Sequence, residues 1–197
     1  MKPIEGYDTT RANTGEYETL EPGAYVLTIK TVTEEASSTG KAGVRIYFDI
    51  AEGEHRDFYQ RQYDGDTRAT KKWAGAKWQM TEGSGLSFFK GFITSVEESN
   101  PGYRWNWDER TLANLRVGGI FRREEYRKAD GSTAWTTRIL SFCSADTARN
   151  GVEPPKDKPL DQTPAQAAYA PQNGYIPSAY TSSPKFEEVK SDNDLPF

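Results

Sequence analysis

The chain reads as a mainly β protein with a helical insertion and a disordered C-terminal tail. Apolar and polar residues alternate with period two over residues 25–30 and again over 44–50, as half-buried strands do, and two further strand stretches, 120–127 and 133–143, flank the hairpin signal Asp130-Gly131. Between them, Leu86, Phe89, Ile93 and Val96, with Phe92 beside them, follow helical spacing. After residue 150 the composition changes. Residues 151–197 hold eight of the eleven prolines, no Trp, and only Val152, Leu160, Ile176, Val189 and Leu195 as large aliphatics. Such a segment cannot bury enough apolar surface to offset the entropy lost on ordering. The expected organisation is a folded domain over 1–150, a linker over 151–185 and an acidic tip over 186–197.

The elements follow in order. Pro22-Gly23 signals a turn, after which Tyr25, Leu27 and Ile29 alternate with Val26, Thr28 and Lys30 in a first strand reaching about Thr33. The small polar run Ser37 to Gly43 is a flexible connection. Val44, Ile46, Phe48 and Ile50 then alternate with Arg45, Tyr47 and Asp49 in a second strand, so the pair is a hairpin. Past the turn at Glu52-Gly53-Glu54, Phe58 to Tyr63 reads as a third strand with Tyr59, Arg61 and Tyr63 on one side. Thr67 to Met80 reads as helix or ordered loop. The helix carrying Leu86 to Val96 stops at Asn100-Pro101-Gly102, and Asp108 caps a short turn bearing Leu112. A strand from Ile120 to about Arg127, the hairpin signal Asp130-Gly131 and a strand from Thr133 to about Cys143 close the body, with a last turn over Ala145 to Asn150.

The resulting order, β-β-β-α-β-β, is that of an OB-fold, a five-stranded Greek-key barrel, partly open, that binds oligonucleotides across strands 2 and 3 and the loops joining strands 1–2 and 4–5. On that frame strands 2 and 3 present Arg45, Tyr47, Tyr59, Arg61 and Tyr63, and the closing hairpin tip presents Arg127 and Lys128. Lys71, Lys72, Trp73, Lys77 and Trp78 pair cations with indoles, which suits a stacking flap over a groove. They equally suit a helix that buries Trp73 and Trp78 against the barrel and leaves the lysines in water. Tyr103-Arg104-Trp105-Asn106-Trp107 alternates as a half-buried extended segment does, so packing is the reading there.

Charge is segregated. The formal net charge is −4, an unusual balance for a nucleic-acid binder. Residues 1–55 carry five basic and ten acidic groups, whereas 56–78 carry six against three and 116–138 again six against three. Two basic segments interleaved with aromatics supply what an electrostatic groove with stacking platforms needs. The tail holds four basic and seven acidic groups, so it accounts for most of the negative excess.

Several function classes find no support. The single histidine, His55, lies in a charged turn without a nucleophile motif beside it, and one Cys with one His cannot build a structural zinc site. No P-loop, Gly-x-Ser-x-Gly or His-Glu-x-x-His pattern occurs. The expectation is a protein that is not an enzyme, with no metal and no cofactor. The lone Cys143 excludes an internal disulfide, and neither a membrane-spanning run nor a signal peptide is present, so a cytoplasmic location is expected.

The chain ends in Asp192-Asn193-Asp194-Leu195-Pro196-Phe197. An exposed terminal Phe with its carboxylate, preceded by acids, suits a partner offering an apolar pocket with a basic rim. Pro196 restricts the backbone beside that anchor. The tip resembles the C-terminal peptide of bacterial and phage single-stranded-DNA-binding proteins. The body is similar to phage-encoded OB-fold members of that family in Glu21-Pro22-Gly23-Ala24-Tyr25, Ser37 to Gly43, Val44 to Ile50, Glu52-Gly53-Glu54, Gly118-Gly119, Arg122 to Tyr126 and Asp130-Gly131. It departs from them in the long aromatic insertion between Asp64 and Asp108.

The resemblance implies a protein that coats and protects single-stranded DNA in phage replication, recombination or repair, inside an infected bacterium. It further implies that Asp192, Asp194, Leu195, Pro196 and Phe197 recruit replication or recombination enzymes, and it allows a homo-oligomer. The alternative is an adaptor or decoy whose tip occupies a host enzyme's pocket while the body binds no DNA.

Overall fold

The computed structural model describes residues 2–4, 7 and 18–160. The expected acidic tip and most of the expected linker lie outside the described residues. Five strands and three α-helices make up the body: β1 Gly23–Glu34, β2 Gly43–Ile50, α1 Phe58–Gly65, β3 Ala76–Met80, α2 Leu86–Ser99, β4 Arg116–Arg127, β5 Thr133–Cys143 and α3 Ala145–Asn150. A 3-10 turn over Glu109–Leu112 precedes β4, and the Asp108 carboxylate accepts from the Arg110 N–H at its start.

All pairings are antiparallel, and the strand order is β3-β2-β1-β4-β5. With α2 between β3 and β4, this is a mainly β, OB-like arrangement whose sheet stays open rather than closing into a barrel. β3 and β5 are its two edges. They face each other across a seam, because the Lys77 ammonium on β3 donates to the Leu140 carbonyl on β5 at 3.0 Å.

The core lies on one face of the sheet. Leu27, Ile29, Ile46, Phe48, Ile50, Val117 and Phe121 bury there, and Phe92, Ile93 and Val96 of α2 close it from below together with Leu112. Gly118 and Gly119 allow close approach. A Cβ on Gly118 would lie 2.5 Å from the Ser144 carbonyl oxygen, and one on Gly119 would lie 2.6 Å from a Leu27 methyl. Hence α3 and β1 can sit against β4 only where side chains are missing.

The stretch read as a third strand is helix α1, and β3 instead comes from Ala76–Met80, inside the stretch read as helix or loop. The reason is a side chain ten residues away. The fully buried Asp49 carboxylate accepts from the N–H groups of Tyr59 at 2.9 Å and Gln60 at 3.0 Å, satisfying two donors that a helix start leaves orphaned. The Gln60 side chain also bonds Asp64 one turn on, at 3.0 Å. Phe58 and Tyr59, adjacent rather than alternate, then face the core together.

The chain remains on the body through Leu160, ten residues beyond the expected end of the domain. Lys158 forms a parallel bridge with Glu124, exchanging backbone bonds of 2.9 Å with Glu125 and Arg123. The Leu160 N–H donates to the Glu125 carboxylate at 3.1 Å. The segment covers the edge of β4 where that strand runs past the end of β1.

Candidate functional site

The upper half of the β3–β5 seam opens into a cleft of about 860 Å³. One wall is Arg45 and Phe48 of β2, Ala76 and Lys77 of β3, and Trp73 just before β3. The facing wall is β5 from Trp135 to Ile139, with Arg123 of β4 beside it. α1 contributes Phe58, Tyr59 and Gln62 to the floor. Residues 18–21 cross from α1 to β5, since Glu18 pairs with Arg61 and the Thr137 hydroxyl donates to the Leu20 carbonyl at 2.6 Å.

The cations lining this cleft differ in how far they are already neutralised. Arg45 forms a two-pronged pair with Glu35, which holds the Glu35 carboxyl below its ordinary value. Lys77 is largely desolvated, and burial pushes its ammonium pKa down. Its hydrogen bond goes to the neutral Leu140 carbonyl. Arg123 lies 5.0 Å over the Trp135 ring and 3.7 Å from Asp157. Arg138 is exposed, and its guanidinium has no ion pair or hydrogen bond among the described residues. Lys77, Arg138 and Arg123, whose pair with Asp157 is long, are therefore better able to meet an anion there than Arg45.

Two indoles face the cleft. Trp135 is 42% exposed and stands on β5 with Arg123 behind it. Trp73 is half-buried, its indole N–H shared between the Phe48 carbonyl at 3.0 Å and the Gly75 carbonyl at 3.1 Å. The ring is held in one orientation, with the Lys30 ammonium 5.9 Å from its centre and the Tyr63 ring 5.8 Å away.

Of the residues singled out in the sequence, Arg45, Tyr59, Trp73 and Lys77 line the cleft. Tyr59 does so from the core: it is 7% exposed, stacked edge-on against Phe48 and Phe58, and burial pushes its phenol pKa up. Arg61 sits on α1 with its guanidinium on both Glu18 oxygens, at 2.9 and 3.1 Å. Burial alone would raise the Glu18 carboxyl, but hydrogen bonds from His55 and Arg61 outweigh it and hold the group below its ordinary value.

Tyr63 pairs with Lys71, whose ammonium lies 4.4 Å from the ring centre, and its ring meets that of Trp73 at 5.8 Å. Tyr47 is half-buried on β2, Lys72 is exposed before β3, and Arg127 and Lys128 are exposed at the hairpin tip, all outside the cleft. Trp78 packs on Gly43 and gives its N–H to the Glu35 carbonyl at 3.0 Å. Asp192, Asp194, Leu195, Pro196 and Phe197 lie outside the described residues.

Trp135, Arg123 and Arg138 were not singled out in the sequence. The available signal was the basic segment 116–138, which contains both arginines, and a Trp set between Ala134 and Thr136 on a strand. Trp107 also departs from the packing expected of it, being 84% exposed in a left-handed backbone conformation with φ of 66°. Among the described residues, no group of three or more His, Cys, Asp and Glu is placed to hold a metal ion, and no helix is long and apolar enough to cross a membrane. Neither a protein-family model nor a curated protein sequence matches this chain.

Proposed function

We propose that the protein binds single-stranded DNA in the β3–β5 cleft and uses its C-terminal tip to recruit enzymes of phage replication, recombination or repair. The observation that carries the reading is the conjunction of Lys77, Arg123 and Arg138 with the ring faces of Trp73 and Trp135 in one open cleft of an OB-like sheet. Bases stack on any aromatic face and phosphates meet any cation, so this composition suits a strand bound without sequence preference. The protein would coat and protect the strand in the cytoplasm of an infected bacterium. It carries out no chemistry itself. The tip reading rests on the acidic run, proline and terminal phenylalanine of residues 192–197.

Titration with oligo-dT, read by indole fluorescence and by gel shift, tests the proposal. Saturable binding that Trp135→Ala weakens without lowering the melting temperature supports it. A folded protein that shifts no oligo-dT overturns it and favours the adaptor, whose tip acts without DNA.

A further inference from the structure

Below Lys77 the seam opens again. A second cleft of about 420 Å³ lies between Lys77 to Met80 of β3, Leu140 to Phe142 of β5 and the first turns of α2. Lys77 lines both compartments, and its hydrogen bond to Leu140 marks the boundary between them. Two features of α2 have no explanation in the fold. Phe88 borders this cleft yet is 67% exposed, so its ring stabilises little of the body. Gly91, one turn on, lies inside a 14-residue helix, where glycine costs roughly 1 kcal/mol relative to alanine. A Cβ on Gly91 would meet nothing within 4 Å. Packing therefore does not require the glycine, and its effect is to keep this compartment open.

We infer that the lower cleft is a second nucleotide subsite, in which a base of the same single strand stacks on Phe88 above Gly91 while Lys77 holds the phosphate between the compartments. This rests on the reading of the upper cleft as a single-stranded-DNA site. The occupant follows from continuity: a strand leaving the upper cleft along the seam passes Lys77, a desolvated cation facing a neutral carbonyl, and arrives beside an unoccupied ring. The space is in the range of small ligand pockets, and it is bordered by Ser84, Ser87 and Ser141, whose hydroxyls can meet base edges.

The test uses the full chain and an oligo-dT ladder of increasing length, with Phe88→Ala and Gly91→Leu compared with the wild type. Gly91→Leu fills the compartment while improving helix propensity, so its melting temperature should equal or exceed that of the wild type. Phe88→Ala removes an exposed ring and should leave the melting temperature unchanged. Both variants should bind long oligo-dT about 5-fold or more weakly, the equivalent of one lost base stack, and bind the shortest oligomers as the wild type does. If the wild type binds and both folded variants keep full affinity at every length, the lower subsite is refuted and the upper one stands. If the wild type binds no oligomer of any length, both readings fail together.

Discussion

Salt dependence separates cations that are unpaired or loosely paired from those held in a close two-pronged pair. Each phosphate contact on a single strand contributes about −0.7 to the slope of log affinity against log salt. With Lys77, Arg123 and Arg138 as the contacts, the slope is about −2.1, and a fourfold rise in salt weakens binding about 18-fold. Arg138→Ala should bring the slope to about −1.4, so the same rise in salt weakens binding only about 7-fold. Exchanging the Arg45–Glu35 pair for Met and Gln leaves net charge unchanged and should leave the slope unchanged as well. Lys72→Ala should do the same, since Lys72 stands outside the cleft. The assay is fluorescence anisotropy of a labelled oligo-dT at several salt concentrations. Binding that ignores salt, or a slope flattened as much by removing the Arg45–Glu35 pair as by Arg138→Ala, would refute the assignment.

Three further outcomes are expected. Asp49→Ala should lower stability by about 3 kcal/mol in urea unfolding, because its buried carboxylate serves the N–H groups of Ile50, Tyr59 and Gln60, and a loss under about 1 kcal/mol would sink the helix-start argument. Glu18 is a carboxylate whose folded pKa is lowered, so its contribution is full above the ordinary carboxylate range and disappears as pH falls through the lowered value. Glu18→Gln should therefore cost up to about 1 kcal/mol at neutral pH and nothing in strong acid, as read by unfolding at both. Deleting residues 192–197 should leave oligo-dT binding intact or modestly stronger and remove enzyme recruitment in pull-downs, while Phe197→Ala should remove recruitment and preserve the salt dependence. Loss of DNA binding by a folded, tip-deleted body would count against that division of labour.

Local signals made most of the sheet legible. β1 and β2 alternate in their apolar residues, and Pro22-Gly23, Gly118-Gly119 and Asp130-Gly131 punctuate the four longer strands. α1 and β3 were misread for a different reason. The backbone donors of Tyr59 and Gln60 are satisfied by Asp49, across a turn, and no periodicity within Phe58–Gly65 reports that. β3 is five residues long in a stretch dense with lysine and tryptophan, too short to display a period. The cleft cations Lys77, Arg123 and Arg138 fall in the two basic segments. Which of the cations are already paired was not legible, because pairing with Glu35 or Glu18 depends on distances that the sequence leaves unstated. Trp135 was passed over because one aromatic on a polar strand looks like any surface residue.

Lys77 also bears on how the protein keeps to itself. Two unpaired strand edges are templates onto which another chain can add, and an inward-pointing lysine is a recognised guard against such edge-to-edge growth. Here the Lys77 side chain occupies the carbonyl of Leu140 that an incoming strand would use, and it sets a charge where a neighbouring sheet would have to lie. The lysine proposed to meet DNA is thus also placed to disfavour edge-to-edge pairing with other copies of the chain. Replacing it exposes the seam to other copies of the chain, and Lys77 variants should be examined for aggregation before any loss of binding is attributed to a missing phosphate contact.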